Sequence, residues 1–170
     1  MFDKLIDFLI SIIELFRFFW VIREWEEGII LRLGKYTGKI MKPGFHFIWP
    51  FAIDEVHTIN ILRDVVELEP QTIVMVDKVV VVTQAIISFQ VINSETCLVK
   101  VGNELNALQE FTQGAIHAVI SNSNYSDANV KDLEKLIIKE ARKEISDWGI
   151  KIHSITIKSF GRMTSIRLIQ

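Results

Sequence analysis

With a single cysteine, Cys97, the chain cannot bridge itself, so its fold does not rest on an intrachain disulfide and suits a reducing compartment. A strong charge of either sign is also lacking. Nineteen Lys and Arg stand against twenty-one Asp and Glu, a net charge of -2, which gives no reason to expect nucleic acid as a partner. There is no Gly-x-Ser-x-Gly, no His-x-x-x-His pair and no cysteine cluster, and His46, His57, His117 and His153 are scattered along the chain. "GKYTGK", Gly34 to Lys39, imitates a phosphate loop, but it is one residue short between its glycines and Ile40 stands where Ser or Thr is needed. No enzymatic activity, metal or cofactor is therefore expected. Nor does any internal repeat, low-complexity tract or Gly/Ser linker divide the chain. Its 170 residues suffice for one domain with a real core, or for two small subdomains.

What is plentiful is apolar surface, much of it in the first two dozen residues. Leu5 to Ile22, "LIDFLISIIELFRFFWVI", reads as a helix in which Asp3, Asp7, Ser11 and Glu14 form one narrow stripe with Arg17 at its edge. Eighteen helical residues reach roughly 27 Å, close to the hydrocarbon thickness of about 30 Å. Its Leu, Ile, Phe and Val residues contribute about -4 to -8 kcal/mol to insertion, while each of three charges costs up to about 3 kcal/mol. Spanning as a lone helix is thus close to break-even; lying in the interface, or spanning with the polar stripe against neighbouring copies, avoids most of the cost. A signal peptide fits poorly, because Asp3 weakens the positive n-region and no small-residue cleavage site follows. A helix packed on the protein's own core is the weaker alternative, because the apolar face is wider than such helices show. Residues 1–23 are accordingly predicted to be a membrane anchor, with Leu5, Ile6, Phe8, Leu9, Ile12, Ile13, Phe16, Phe19 and Trp20 meeting lipid, and residues 24–170 to be the folded domain.

From Trp25 the pattern turns to strands. "GIILRLGKY", Gly28 to Tyr36, reads as one strand, and "FHFIWPF" alternates Phe45, Phe47 and Trp49 against His46 and Ile48 until Pro50 ends the ladder. Gln71 to Ile92 is a Val- and Ile-rich run broken at Asp77-Lys78, which predicts two strands joined there. The second half is helical. Ser94 to about Asn122 places Leu98, Val101, Leu105, Leu108, Phe111 and Val119 at helical spacing, with weak points at Gly102 and Gly114. A further helix is predicted with Ser126 or Asp127 as N-cap, Val130, Leu133, Ile137, Ala141, Ile145 and Trp148 on one face, and Gly149 as the stop. Ile150 to Ile157 returns to strand. The class is α+β, with a strand-rich part over 24–93 and a helix-rich part over 94–170.

The order of these segments resembles the stomatin branch of the SPFH, or Band 7, family, which includes prohibitins and flotillins. Gly28 to Lys35 is similar to that family's "G-hydrophobic-R-x-G-K/R" strand, and Pro43 to Pro50 to its "PG-aromatic/Leu-H-aromatic-I-x-P" segment. Arg63, then Gln71, Thr72 and Asp77, then "DWGIKIHSITIKSF" from Asp147 to Phe160 follow in family order, so the resemblance covers roughly Trp25 to Phe160. It implies a mixed α+β domain, attachment to a membrane with the domain on the cytoplasmic side, and a homo-oligomeric scaffold that organises local membrane or membrane-protein complexes. The alternative role is a regulatory or inhibitory subunit of a membrane protease or channel. The implied partners are lipid, further copies, and a membrane protease, a channel or a longer SPFH homologue. Two departures bear on this. Leu5 to Ile22 contains no proline, so a single helix is expected in place of a kinked hairpin. The sequence ends at "GRMTSIRLIQ" where the family continues into a coiled coil, so assembly is expected to use the globular domain, the anchor or a partner.

Trp49 and Phe51, flanking Pro50, are candidates for lipid contact, whereas Phe45 and Phe47 fit a half-buried strand equally well. Lys131, Lys135, Lys139 and Lys143 recur every fourth residue beside an acidic row of Glu140, Glu144 and Asp147. That pattern fits lateral docking between copies, or a solvated face with weak pairs such as Asp132 with Lys135 and Glu140 with Lys143.

Overall fold

The computed structural model describes residues 18–163 except 52 and 102. The expected lipid contacts at Leu5, Ile6, Phe8, Leu9, Ile12, Ile13 and Phe16 lie outside the described residues. The chain divides into two compact units, which interleave in sequence: one takes the described part of Met1–Leu62 together with Asn93–Gly102, the other Arg63–Ile92 with the described part of Asn103–Gln170.

In the first unit the strand β1, Phe19–Ile22, is antiparallel to β4, Gly44–Phe47, while β2, Glu26–Arg32, runs between β3, Lys35–Met41, and β5, Asp54–Asn60. This corrects two expectations. Phe19 and Trp20 do not end a helix; they begin a strand in register with Phe47 and His46. Aromatic and β-branched residues suit a pleated surface, and Ile22 at its end is 2% exposed. "GIILRLGKY" is likewise a hairpin, turned at Leu33 and Gly34 with φ of 49° and 75°, the two positive values a type I′ turn requires. Gly28 permits close packing here, because a Cβ would stand 3.0 Å from the His57 carbonyl oxygen and 3.4 Å from Ile22 Cδ1. The short helix α1, Ser94–Lys100, is capped by Asn93 and packs on β2, where Ser94 Oγ donates to Glu27 Oε2. Ile22, Ile29, Met41, Ile59, Cys97 and Val101 form the core.

The second unit is organised on β8, Val80–Val91. One of its sides pairs with β6, Asp64–Glu67, and β7, Gln71–Val74; the other pairs with β9, Ile150–Arg162. The expected break at Asp77-Lys78 is a tight turn with Lys78 at φ 63°, and Asp77 Oδ2 accepts the Tyr125 N–H at 3.0 Å. Helices α2, Glu104–Ser121, and α3, Val130–Ile145, pack on each other and on the sheet. Leu133, Ile137, Ala141 and Ile145 of α3 are buried as the spacing predicts. Its N-cap is Asn129, whose side chain accepts the Lys131 N–H at 3.1 Å; Ser126 and Asp127 belong to a 3-10 turn before it. The separate starts of α1 and α2 realise the expected break. Leu108 is buried as expected, but Leu105 and Phe111, expected on the same face, are exposed, because the inner face continues through Thr112, Ala115, Ile116 and Ile120. Two side chains of α3 cap the outer edge of β9: Glu134 Oε1 accepts the Ile157 N–H at 2.8 Å, and Arg142 donates to the Ile152 carbonyl at 2.9 Å. This blunts an edge that would otherwise template strand pairing.

Candidate functional site

One end of the first unit gathers large apolar side chains in solvent. Pairing of Phe19 with Phe47 and of Val21 with Phe45 puts these four on one face of the β1–β4 ribbon. All are exposed, Phe47 to 80%. Phe45 stacks on Phe19 at 5.4 Å between centroids and meets Phe47 edge-to-face at 5.1 Å. Such ring pairs stabilise one another without leaving water. The alternation read from the sequence is therefore real for Phe45 and Phe47, but the face it creates is an outer one.

Beyond Phe47 the ladder ends, and the chain turns through Trp49, Pro50 and Phe51. Asp54 holds this turn. Its side chain is 1% exposed, receives Arg32 through both oxygens at 2.8 and 3.1 Å, and accepts the Trp49 N–H at 2.9 Å. The guanidinium also lies 5.9 Å from the Trp49 ring centroid, within cation–π range. The Arg32 hydrogen bond, assisted by the Trp49 N–H and the Arg32 charge, outweighs burial and holds the Asp54 carboxyl below its ordinary range; the same contact raises Arg32. The latch thus fixes the backbone while Trp49 and Phe51 face outward, 61% and 51% exposed.

The β2–β3 turn reaches the same place, since the Leu33 N–H donates to the Ile53 carbonyl at 2.8 Å. Leu33 is 80% exposed, and sequence reasoning missed it because it sat inside an apparent strand. Leu33 and Phe51 share an unusual property: both are bulky, both are solvent-facing, and both have positive φ, 49° and 64°. Glycine or asparagine would fill such positions at lower conformational cost.

The other sequence candidates are not drawn together. His46 Nε2 lies 2.6 Å from the Lys42 carbonyl, His57 Nε2 3.2 Å from Glu55, and His153 Nε2 3.2 Å from Gln90. "GKYTGK" is the β2–β3 turn and the start of β3. On α3, Lys135 pairs with Asp132 at 2.9 Å and Lys143 with Glu140 at 2.6 Å, while Lys131, Lys139 and Glu144 are exposed. Among the described residues no helix is long and apolar enough to cross a membrane, and no group of three or more His, Cys, Asp or Glu is placed to hold a metal ion.

The SPFH domain / Band 7 family model matches residues 20–161. The chain belongs to this family. Its relatives include an uncharacterized protein of Methanocaldococcus jannaschii, 26% identical over 140 residues that make up 81% of this chain and 69% of the relative. A stomatin homolog of Pyrococcus horikoshii is 28% identical over 141 residues, 81% of this chain and 52% of the relative. Stomatin-1 of Caenorhabditis elegans is 25% identical over 154 residues, 89% and 46% respectively. The chain thus spans about half the length of the stomatin-named relatives.

Proposed function

We propose that this chain is a non-enzymatic, membrane-attached scaffold of the SPFH family that assembles with copies of itself and meets lipid through the exposed apolar end of its first unit. One observation carries the reading: Leu33 and Phe51, two bulky apolar side chains, sit at positive φ in neighbouring turns and point into solvent beside Phe47 and Trp49. A chain bears such strain where function uses it, and contiguous apolar patches of this kind mark sites of protein or membrane contact. Trp and Phe at turn tips suit the layer between headgroups and acyl chains. Covering the exposed half of one ring contributes about 2 kcal/mol, so a few such side chains suffice for reversible attachment. Family membership supports a scaffold role in outline, and the same resemblance is the reason for proposing the domain on the cytoplasmic side.

The test is liposome flotation of a chain beginning at Phe18, comparing native sequence with Leu33→Ser, Trp49→Ser and Phe51→Ser combined. The native chain should float and the triple variant should bind at least tenfold more weakly, with little change in melting temperature. Equal flotation of the two would overturn the assignment of this surface.

A further inference from the structure

Between α2 and α3 of the second unit lies an open cavity of about 400 Å³, lined by Phe111, Gly114, Ala115 and Ala118 and rimmed by Glu110, Glu140 and Glu144. Its floor is apolar and shallow. Phe111 is 42% exposed and is steadied by Trp148, edge-to-face at 4.8 Å, while a Cβ added at Gly114 would meet nothing within 4 Å. The rim is acidic. Lys143 offsets Glu140, but among the described residues no cation pairs with Glu110 or Glu144 within 4 Å. A slot of this kind accepts an aliphatic stem on its floor and an ammonium at its rim, which describes lysine.

Lysines of the right kind stand on the same helix. At roughly 100° per residue, Lys131, Lys135 and Lys139 lie about 100° to 180° around α3 from Glu140 and Glu144. They are exposed, and Lys131 and Lys139 have no carboxylate within 4 Å among the described residues. Lys143, at the end of the row, reaches Glu140 within the chain, whereas Lys131, Lys135 and Lys139 lie on another flank of the helix and pair with neither Glu140 nor Glu144. We infer that the α2–α3 groove receives the lysine row of α3 from a second copy. Because the row and the groove lie on different flanks of α3, the contact is heterologous: each copy offers lysines on one flank and the groove on the other. Repetition then yields a ring or filament in place of a two-fold dimer. The inference rests on the reading of the chain as a self-assembling scaffold and specifies the contact that would join its copies.

The experiment uses the full chain in detergent, sized by sedimentation velocity. Two variants are compared with the native chain: Glu110→Lys with Glu144→Lys, and Lys131→Glu with Lys139→Glu. All four positions lie at the surface, and far-UV circular dichroism with thermal unfolding checks that both variants fold. The native chain should assemble at low salt and dissociate as salt rises, since the pairs are solvent-exposed. Each variant alone should associate at least tenfold more weakly, and a one-to-one mixture should recover assembly because each supplies the charge the other lost. Variants that assemble like the native chain, or a mixture that stays dissociated, would overturn this contact while leaving the scaffold reading in place. A native chain that remains monomeric at all salt concentrations would overturn the scaffold reading, and this contact with it.

Discussion

Asp54 shows how much of the site depends on one side chain. Its carboxylate ties Arg32 and the Trp49 backbone together, and those bonds lower its pKa in the fold. A carboxyl with a depressed folded pKa contributes stability that is present above its unfolded value and is lost as pH falls through the folded one. Asp54→Asn should therefore lower the melting temperature most at neutral pH, and the gap from the native chain should close in acid, below the ordinary carboxylate range. A gap independent of pH would mean that shape, not charge, closes the latch. Leu33 makes the opposite case. Leu33→Asn places in the turn a residue suited to positive φ and should raise stability by about 0.5 to 1 kcal/mol, measured by urea unfolding, while weakening liposome binding severalfold. Gain in one and loss in the other is the signature of a residue kept for function.

At the scale of elements, β1 tests the assignment most sharply. Phe19 to Ile22 is apolar at every position, so hydrophobic period cannot distinguish the end of a helix from a strand; the partner β4, more than twenty residues on, decides it. Ile22→Ala should cost about 2 to 4 kcal/mol of fold stability, whereas a side chain dissolved in lipid would cost the fold nothing. The same logic explains what was legible. The Asp77-Lys78 break, the gap between α1 and α2, and the face of α3 all carry local signals: a turn dipeptide, a glycine and a strict apolar period. Leu33 and Phe111 went astray because the first lies in a turn with no asparagine to mark it and the second lies beside the true inner face of α2. At α3 the cap signal was present three times over, in Ser126, Asp127 and Asn129, and only geometry selects the last. Asn129→Ala should cost about 1 kcal/mol in urea unfolding; no loss would return the cap to an earlier residue.

For the molecule as a whole, the sequence pointed to Trp49 and Phe51 but not to the company they keep. Exposure of Phe45 and Phe47 depends on what the ribbon packs against, and the convergence of the β2–β3 turn with the Pro50 turn depends on pairing of β2 with β5. Both are tertiary facts. Contact of this end of the first unit with lipid is the proposal on which the rest depends. Its most direct test places a nitroxide at Leu33→Cys and, separately, at Asn60→Cys, which lies at the other end of β5, roughly 20 Å away along the strand. Cys97 is buried and can remain. In liposomes, electron paramagnetic resonance should show the label at position 33 relaxed more by oxygen than by a water-soluble nickel complex, and the label at position 60 the reverse. If position 33 is relaxed by nickel as strongly as position 60, the apolar end faces water and the account of this surface is wrong.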